Sequence, residues 1–322
     1  MVVIFSSESL PDEARRLLGK WSLAEGKTDA IPEAEVLMVW RIDEDMLSSA
    51  KKLRAIQTFS AGVDHLPFKL IPPGVKVFSN AGAYSRPVAE HAWALILHLA
   101  KGINIRDKAI ASDYPRQLFG KRLLVLGAGG IGQETAKLGK AFGMFTVGIS
   151  RHPAPREGFD LVAGLDELNH ELALADVVVV ALPLNKYSVG LLNSSRIALL
   201  KDTCILVNVG RGAVVDQEAI FDALKERRTL RFGTDVWWDE GGREGSHLPF
   251  YDLPNFAGTP HIAGGAGKET ANVAKIAAAR NVATFLETGR ANNEVNFADY
   301  LRNRATPCYN SRRPNTAHEN RL

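Results

Sequence analysis

The chain has 322 residues, 46% hydrophobic and 23% charged, which excludes disorder for most of it and allows two domains of ordinary size. Its formal net charge of +3 equals the contribution of Arg304, Arg312, Arg313 and Arg321 against Glu319, so the rest is near neutral and argues against nucleic-acid or membrane partners. Cys204 and Cys308 make no disulfide framework, and neither a basic leader nor an apolar run of about 18 residues is present, as expected of a soluble cytoplasmic protein.

Short β-rich runs alternate with helical segments from the start. Strands are expected at Val2–Phe5, Val36–Trp40, Ala55–Phe59 and Val75–Ser79, with helices at Asp12–Leu18 and Glu44–Ser49. This alternation specifies an α/β fold with a parallel sheet. Val88–Ile103 is apolar nearly all round, the pattern of a helix buried between domains, and its 16 residues are too few to span a bilayer. After a polar stretch, strands are expected at Leu123–Leu126, Phe145–Ile149, Val177–Leu182, Cys204–Val209, Arg231–Asp235 and Phe256–Thr259. Helices fall near Asp166–Ala173, Ser194–Leu199 and Asp216–Arg227, and six strands suit a doubly wound sheet. A last helix, Lys268–Glu287, carries Val273, Ile276, Ala277, Val282 and Phe285 on one face and is expected to return to the first domain. Residues 303–322 show no periodicity and are expected to be a disordered or appended tail.

Lys121–Gly132 joins an apolar strand to a helix through glycines spaced G-x-G-x-x-G. In that context Gly127 allows the turn and Gly129 lets the backbone approach a pyrophosphate. Gly132 lets helix and strand pack closely, and the helix amino end faces the phosphates. The motif predicts a bound dinucleotide. In such a fold an acid at the end of the next strand accepts hydrogen bonds from the adenosine ribose hydroxyls of NAD. Here that strand ends in Ser150, Arg151 and His152, and no acid follows until Glu157. Ser150 and Arg151 therefore suggest a pocket for a 2′-phosphate, hence NADP(H) over NAD(H); the alternative is that Arg151 is a solvated residue at a strand end.

Three segments lie at carboxyl ends of predicted strands, the edge where open α/β sheets bind ligands: Asn208–Gly212, Thr234–Glu240 and Thr259–Gly264. They supply one Arg, one Glu and one His. Arg211 would hold a carboxylate and polarise a neighbouring carbonyl, His261 would transfer the hydroxyl proton, and Glu240 would orient the imidazole and stabilise its cation. The nicotinamide would carry the hydride. Each residue has a bland reading too: a surface ion pair for Arg211, a solvated loop acid for Glu240, a satisfied buried histidine for His261. The glycines flanking Arg211 suggest backbone crowding by a ligand.

These residues resemble the D-isomer-specific 2-hydroxyacid dehydrogenase family, in particular its glyoxylate and hydroxypyruvate reductase-like branch. The resemblance runs from about Val36 to Asn296 and covers Ser60–Asp64, Asn80–Gly82, Val88–Glu90, the glycine motif, Ala181–Pro183, Asn208–Gly212 and Thr259–His261. The family's Arg, Glu and His fall on Arg211, Glu240 and His261. The same matching implies that the Ala61 and Gly62 backbone meets the substrate carboxylate and that the Gly130 and Ile131 amides meet the pyrophosphate. It also implies that Pro183, Val209, Asp235 and Gly264 line the adenosine and nicotinamide. Family Pro after the catalytic Glu is replaced here by Gly-Gly-Arg-Glu-Gly, so Asp239 or Glu244 stand as alternatives to Glu240.

The family fold places a Rossmann cofactor domain inside a smaller flavodoxin-like substrate domain built from both chain ends. The implied boundaries are 1–97 and 271–302 for the substrate domain and 98–270 for the cofactor domain. The implied function is an NADPH-preferring reductase of a small 2-oxo acid to its D-2-hydroxy acid, as a homodimer built on the cofactor domains. A cofactor-sensing regulator of the same fold is the alternative. Arg41 and Arg86 are further candidates to approach substrate. Tyr84, Trp237 and Trp238 read as packing residues, and His65, His91 and His98 lack the grouping of a metal site.

Overall fold

The computed structural model describes residues 1–103, 116–239, 245–265 and 267–300. Among these residues, two parallel sheets account for all the named strands. The first has five strands, β1 (Val3–Ser6), β2 (Ser22–Glu25), β3 (Val36–Val39), β4 (Ala55–Thr58) and β5 (Lys76–Phe78), in the order β2-β1-β3-β4-β5. The second has seven: β6 (Arg122–Leu126), β7 (Phe145–Ile149), β8 (Leu161–Ala163), β9 (Val177–Val180), β10 (Ile205–Asn208), β11 (Arg231–Thr234) and β12 (Phe256–Gly258). Its order, β12-β11-β10-β9-β6-β7-β8, reverses direction between β6 and β9. That reversal opens the crevice in which doubly wound sheets bind dinucleotides. The flavodoxin-like and Rossmann architectures are both as expected.

Each sheet is covered on both faces, as all-parallel sheets require. Leu124, Leu126, Val178 and Val180 enter one apolar cluster, while Leu123, Val125, Val177 and Val179 enter the cluster on the opposite face. In the first sheet Phe5 and Ile4 divide in the same way. The two strands not anticipated, β2 and β8, are both edge strands whose side chains, Ala24 apart, are exposed or half-buried. An edge strand buries too little to write a strong apolar signal into its sequence.

Helices α1 (Asp12–Leu18) and α2 (Glu44–Ser49) follow their predicted bounds, and Asp43 caps α2 by accepting from the Met46 amide at 2.8 Å. Helix α3 (Ser85–Lys101) buries Val88, Ala92, Trp93, Leu95, Ile96 and Leu99. It packs on α4 (Gly130–Ala141) and on β10, β11 and β12. It therefore covers one face of the seven-stranded sheet rather than lying between the domains. The remaining helices of that sheet are α5 (Leu168–Leu174), α6 (Ser194–Ala198) and α7 (Gln217–Glu226).

Helix α8 (Lys268–Thr288) packs on α1 and β4, burying Ala274, Ala278, Ala279, Val282 and Phe285. It returns the chain to the first sheet, where Val295 bonds to Val77 and Phe78 bridges Glu294. The expected boundaries at 97 and 270 fall inside α3 and α8. Both helices are continuous through those points because their apolar faces stay on one sheet throughout. No helix of the described residues is long and apolar enough to cross a membrane.

Candidate active site

The glycine turn joins β6 to α4 as expected. Gly127 has φ +108°, and a Cβ on it would stand 2.7 Å from the Ala181 carbonyl oxygen. A Cβ on Gly132 would collide with the Gly127 carbonyl oxygen, so the helix can sit against the turn only without a side chain. Gly129 differs: it is the N-cap of α4, and a Cβ there would meet nothing within 4 Å. No packing demand of the protein explains it. Open space before the first-turn amides of a helix fits a pyrophosphate. A Cβ on Gly130 would collide with the Ser85 hydroxyl, a buried group without a hydrogen-bond partner among the described residues. Ile131 is half-buried in the first turn, and Pro183 lines a cleft of about 650 Å³ with Arg151, Tyr187 and Tyr300.

Arg211 leaves the end of β10 on a loop tied by Asn208, whose amide nitrogen donates to the Arg211 carbonyl at 2.9 Å and whose amide oxygen accepts from Gly210 at 3.1 Å. The flanking glycines have a different reason from the one expected. A Cβ on Gly210 would stand 2.6 Å from the Leu182 carbonyl oxygen, and one on Gly212 would collide with the Trp237 backbone. Neighbouring loops, not a ligand, crowd them. The guanidinium crosses to the first domain, where Nε donates to Asp64 Oδ1 at 3.0 Å. Nη1 donates to the Gly210 carbonyl, and a Cβ on Gly62 would collide with Nη2. Arg211 and the Ala61–Gly62 loop, 149 positions apart, are thus in contact, and both keep partial exposure. Ser60 shapes this loop by donating to the Gly62 carbonyl at 2.8 Å.

His261 follows β12 with φ 56°, in the left-handed region. A histidine in that region is uncommon and strained, and such residues gather at functional sites. What holds it is Asp235, which is 1% exposed. One carboxylate oxygen accepts from the Ile262 amide at 2.9 Å and the Thr259 hydroxyl at 2.7 Å, and the other from the Ala263 amide at 2.8 Å. Thr259, having given its proton to Asp235, accepts from His91 Nε2 at 2.8 Å. Trp237 reinforces the loop by donating from Nε1 to the Thr259 carbonyl at 2.8 Å. Asp235, expected to line the cofactor, has its carboxylate occupied by the turn that carries His261.

Glu240 and Glu244 lie outside the described residues. Asp239, the other alternative, donates its amide to the Gly245 carbonyl at 3.0 Å, so the residues flanking 240–244 are adjacent. Trp238 packs on Phe250 and donates to the Val215 carbonyl, so Trp237 and Trp238 are packing residues as expected. Tyr84 donates to the Phe59 carbonyl at 2.8 Å, and burial pushes its hydroxyl up to about 12. Gly264 lies beside its ring. Val209 is buried and its amide donates to the Val180 carbonyl, so its side chain belongs to the core.

Ser150 and Arg151 are held by partners within the protein. The Ser150 hydroxyl closes a local turn with the His152 backbone, at 3.2 Å to both its amide and its carbonyl. Arg151 Nη1 and Nη2 both donate to Asp299 Oδ2 at 3.2 Å, and its guanidinium sits 4.7 Å from the Tyr187 ring centre. Arg86 is exposed, 3.9 Å from Glu134 on α4. His65 Nε2 lies 2.8 Å from the Trp40 carbonyl. Desolvation is the leading cause holding its pKa below the usual value, with nearby Arg211 and Arg41 in the same sense and the Trp40 hydrogen bond and Asp64 charge opposing. No cluster of metal-ligating side chains occurs among the described residues. Burial pushes the Cys204 thiol up to about 12, so it is no nucleophile.

Asp64 and Asp299 are the residues that sequence reasoning missed. Asp64 stood inside the Ser60–Asp64 motif, but nothing in the order of residues paired it with Arg211.

Residues 83–263 match the family described as "D-isomer specific 2-hydroxyacid dehydrogenase, NAD binding domain". The chain belongs to this family. Members of the D-isomer specific 2-hydroxyacid dehydrogenase family are NAD(P)-dependent enzymes acting on small 2-oxo and 2-hydroxy acids. The chain is 31% identical to a glyoxylate reductase of Pyrococcus furiosus over 265 residues, 76% of each chain. It is 31% identical to a D-3-phosphoglycerate dehydrogenase of Methanocaldococcus jannaschii over 92% of its own length and 60% of that protein's. Among solved structures, a family protein from Aeromonas salmonicida superposes with TM-score 0.75 at 28% identity, covering 92% of this chain and 99% of that one. A glycerate dehydrogenase related protein from Thermoplasma acidophilum gives 0.61 at 30%, covering 88% and 100%.

Proposed function

We propose that this dehydrogenase reduces a small 2-oxo acid, of the size of glyoxylate or hydroxypyruvate, to its D-2-hydroxy acid with NADPH preferred over NADH. The observation that carries the reading is the Arg211 guanidinium packed against Gly62, since a cation beside an open backbone loop is what a substrate carboxylate needs. Arg211 holds the carboxylate and polarises the 2-oxo group. His261 gives its proton to the carbonyl oxygen as the alcohol forms, and Glu240 stabilises the imidazolium. The nicotinamide supplies the hydride. Gly127 and Gly132 shape the turn, Gly129, Gly130 and Ile131 present their backbone to the pyrophosphate, Pro183 and Gly264 lie along the rest of the cofactor, and Ser150 and Arg151 lie toward the adenosine ribose. The glyoxylate reductases among the relatives favour the small substrate.

A matrix of NADPH and NADH against glyoxylate, hydroxypyruvate and pyruvate tests this: oxidation should be fastest with NADPH and one of the first two. Tight cofactor binding without turnover on any of them would sink the proposal. Replacing Ser150 with Asp and Arg151 with Ala should move the preference toward NADH, and an unchanged ratio would refute the phosphate pocket. We also expect a homodimer through the cofactor domains, which light scattering on the purified protein checks.

A further inference from the structure

The strand end after the glycine turn carries a base where an acid is usual, but an acid arrives there from the other domain. Asp299 closes a single helical turn, Phe297–Asp299, capped by Asn296, whose side chain accepts from the Ala298 amide at 3.1 Å. Phe297 and Tyr300 pack on Phe68 of the first domain with ring centres 5.2 and 4.8 Å away, so Asp299 is fixed to that domain. Its backbone carbonyl accepts from the Lys186 amide at 3.0 Å, which joins it to the cofactor domain as well. Its side chain is only 14% exposed, and it faces Arg151 in the cleft that Pro183, Asn185 and Tyr187 also line.

The form of this pair bears on the cofactor. Both Arg151 nitrogens share one oxygen of Asp299 at 3.2 Å, longer than the about 2.7–2.9 Å of a strong charge-assisted bond. Tyr187 supports the guanidinium from one face. The cation is therefore held in place by a weak, replaceable partner. A 2′-phosphate reaching Arg151 must displace the Asp299 carboxylate and then lie beside a like charge. A ribose 2′-hydroxyl meets no such cost.

Resting on the assignment of Arg151 to the adenosine ribose, we infer that Asp299 is a specificity-determining residue that opposes the 2′-phosphate. It tempers the preference that Arg151 creates and leaves NADH a usable cofactor. The carboxylate acts from the substrate domain, so the choice of nucleotide depends on how that domain sits against the cleft.

The test is direct binding of adenosine 2′,5′-bisphosphate and 5′-AMP to the full chain by calorimetry, which isolates the 2′-phosphate and needs no turnover. Asp299→Asn should raise the ratio of bisphosphate to monophosphate affinity about fivefold, the scale of a partly exposed ion pair. Asp299→Glu should keep the ratio within about twofold of the parent, since the charge is retained. Arg151→Ala should lower the ratio. Because each ratio compares two ligands on one variant, a change in folded fraction cancels. If Arg151→Ala lowers the ratio and Asp299→Asn leaves it unchanged or lowers it, the inference about Asp299 is wrong and the assignment of Arg151 stands. If Arg151→Ala leaves the ratio unchanged, that assignment fails and the inference with it.

Discussion

The Arg211 side chain shows how much of a site one residue's partners decide. Its guanidinium is aimed by Asp64 and backed by the Gly210 carbonyl, leaving Nη2 at the Gly62 loop. Asp64→Asn should let it swing, raising KM for the 2-oxo acid about five- to tenfold with a smaller change in kcat, as expected when a charged hydrogen bond to a binding group is lost. Steady-state kinetics with the full chain checks this, and an unchanged KM would remove Asp64 from the site. His261 sits in a strained backbone conformation that three hydrogen bonds to Asp235 maintain. Asp235→Asn replaces an acceptor-only group with one whose nitrogen cannot accept, so at least one of those bonds breaks. We expect kcat to fall by about tenfold or more while dinucleotide binding, followed by fluorescence titration, changes less. The reason two glycines flank Arg211 is not legible in the sequence, because the crowding backbones, Leu182 and Trp237, are distant in the chain.

At the scale of elements, the unit from β6 to α4 was legible almost residue by residue. Three signals coincide there: an apolar run, a glycine spacing and a helical period, each local. Gly132→Ala puts a methyl group into the Gly127 carbonyl and should cost about 2 kcal/mol or more in urea unfolding, together with loss of dinucleotide binding. Gly129→Ala meets no protein atom, so it should leave stability nearly unchanged and still weaken binding, because the methyl group enters the space before the helix amides. Equal destabilisation by both would refute the division of roles. The edge strands β2 and β8 write little apolar signal for want of burial, and the apolar pattern of α3 does not say which sheet it covers.

Within the cofactor domain, half-buried Asp176 and exposed Asp160 tie neighbouring elements of the seven-stranded sheet together. Asp176 accepts from the Arg122 amide and from Lys201, and Asp160 accepts from the Thr146 amide and hydroxyl and from Lys140. Burial alone would raise both pKa values, but these hydrogen bonds and cations outweigh it and hold both below the ordinary 3.8. A folded-state pKa below the unfolded one contributes stability above about pH 4 that disappears as pH falls through the folded value. Acid unfolding should therefore steepen below about pH 4, and Asp176→Asn should flatten that dependence while lowering stability at pH 7 by about 1 kcal/mol. Circular dichroism against pH, parent beside variant, measures both.

The sequence by itself determined the α/β class, the place of the dinucleotide turn, and the position of Arg211 and His261 just past the carboxyl ends of β10 and β12. These follow from local periodicity, from glycine's backbone freedom and from motifs that are contiguous in the chain. Only the tertiary structure decided that Arg211 is paired with Asp64 across 147 positions and Arg151 with Asp299 across 148, and that Asp235 carries the His261 turn. Long-range partners depend on how two sheets are set against each other, and charge complementarity alone selects no particular acid among the many the chain offers.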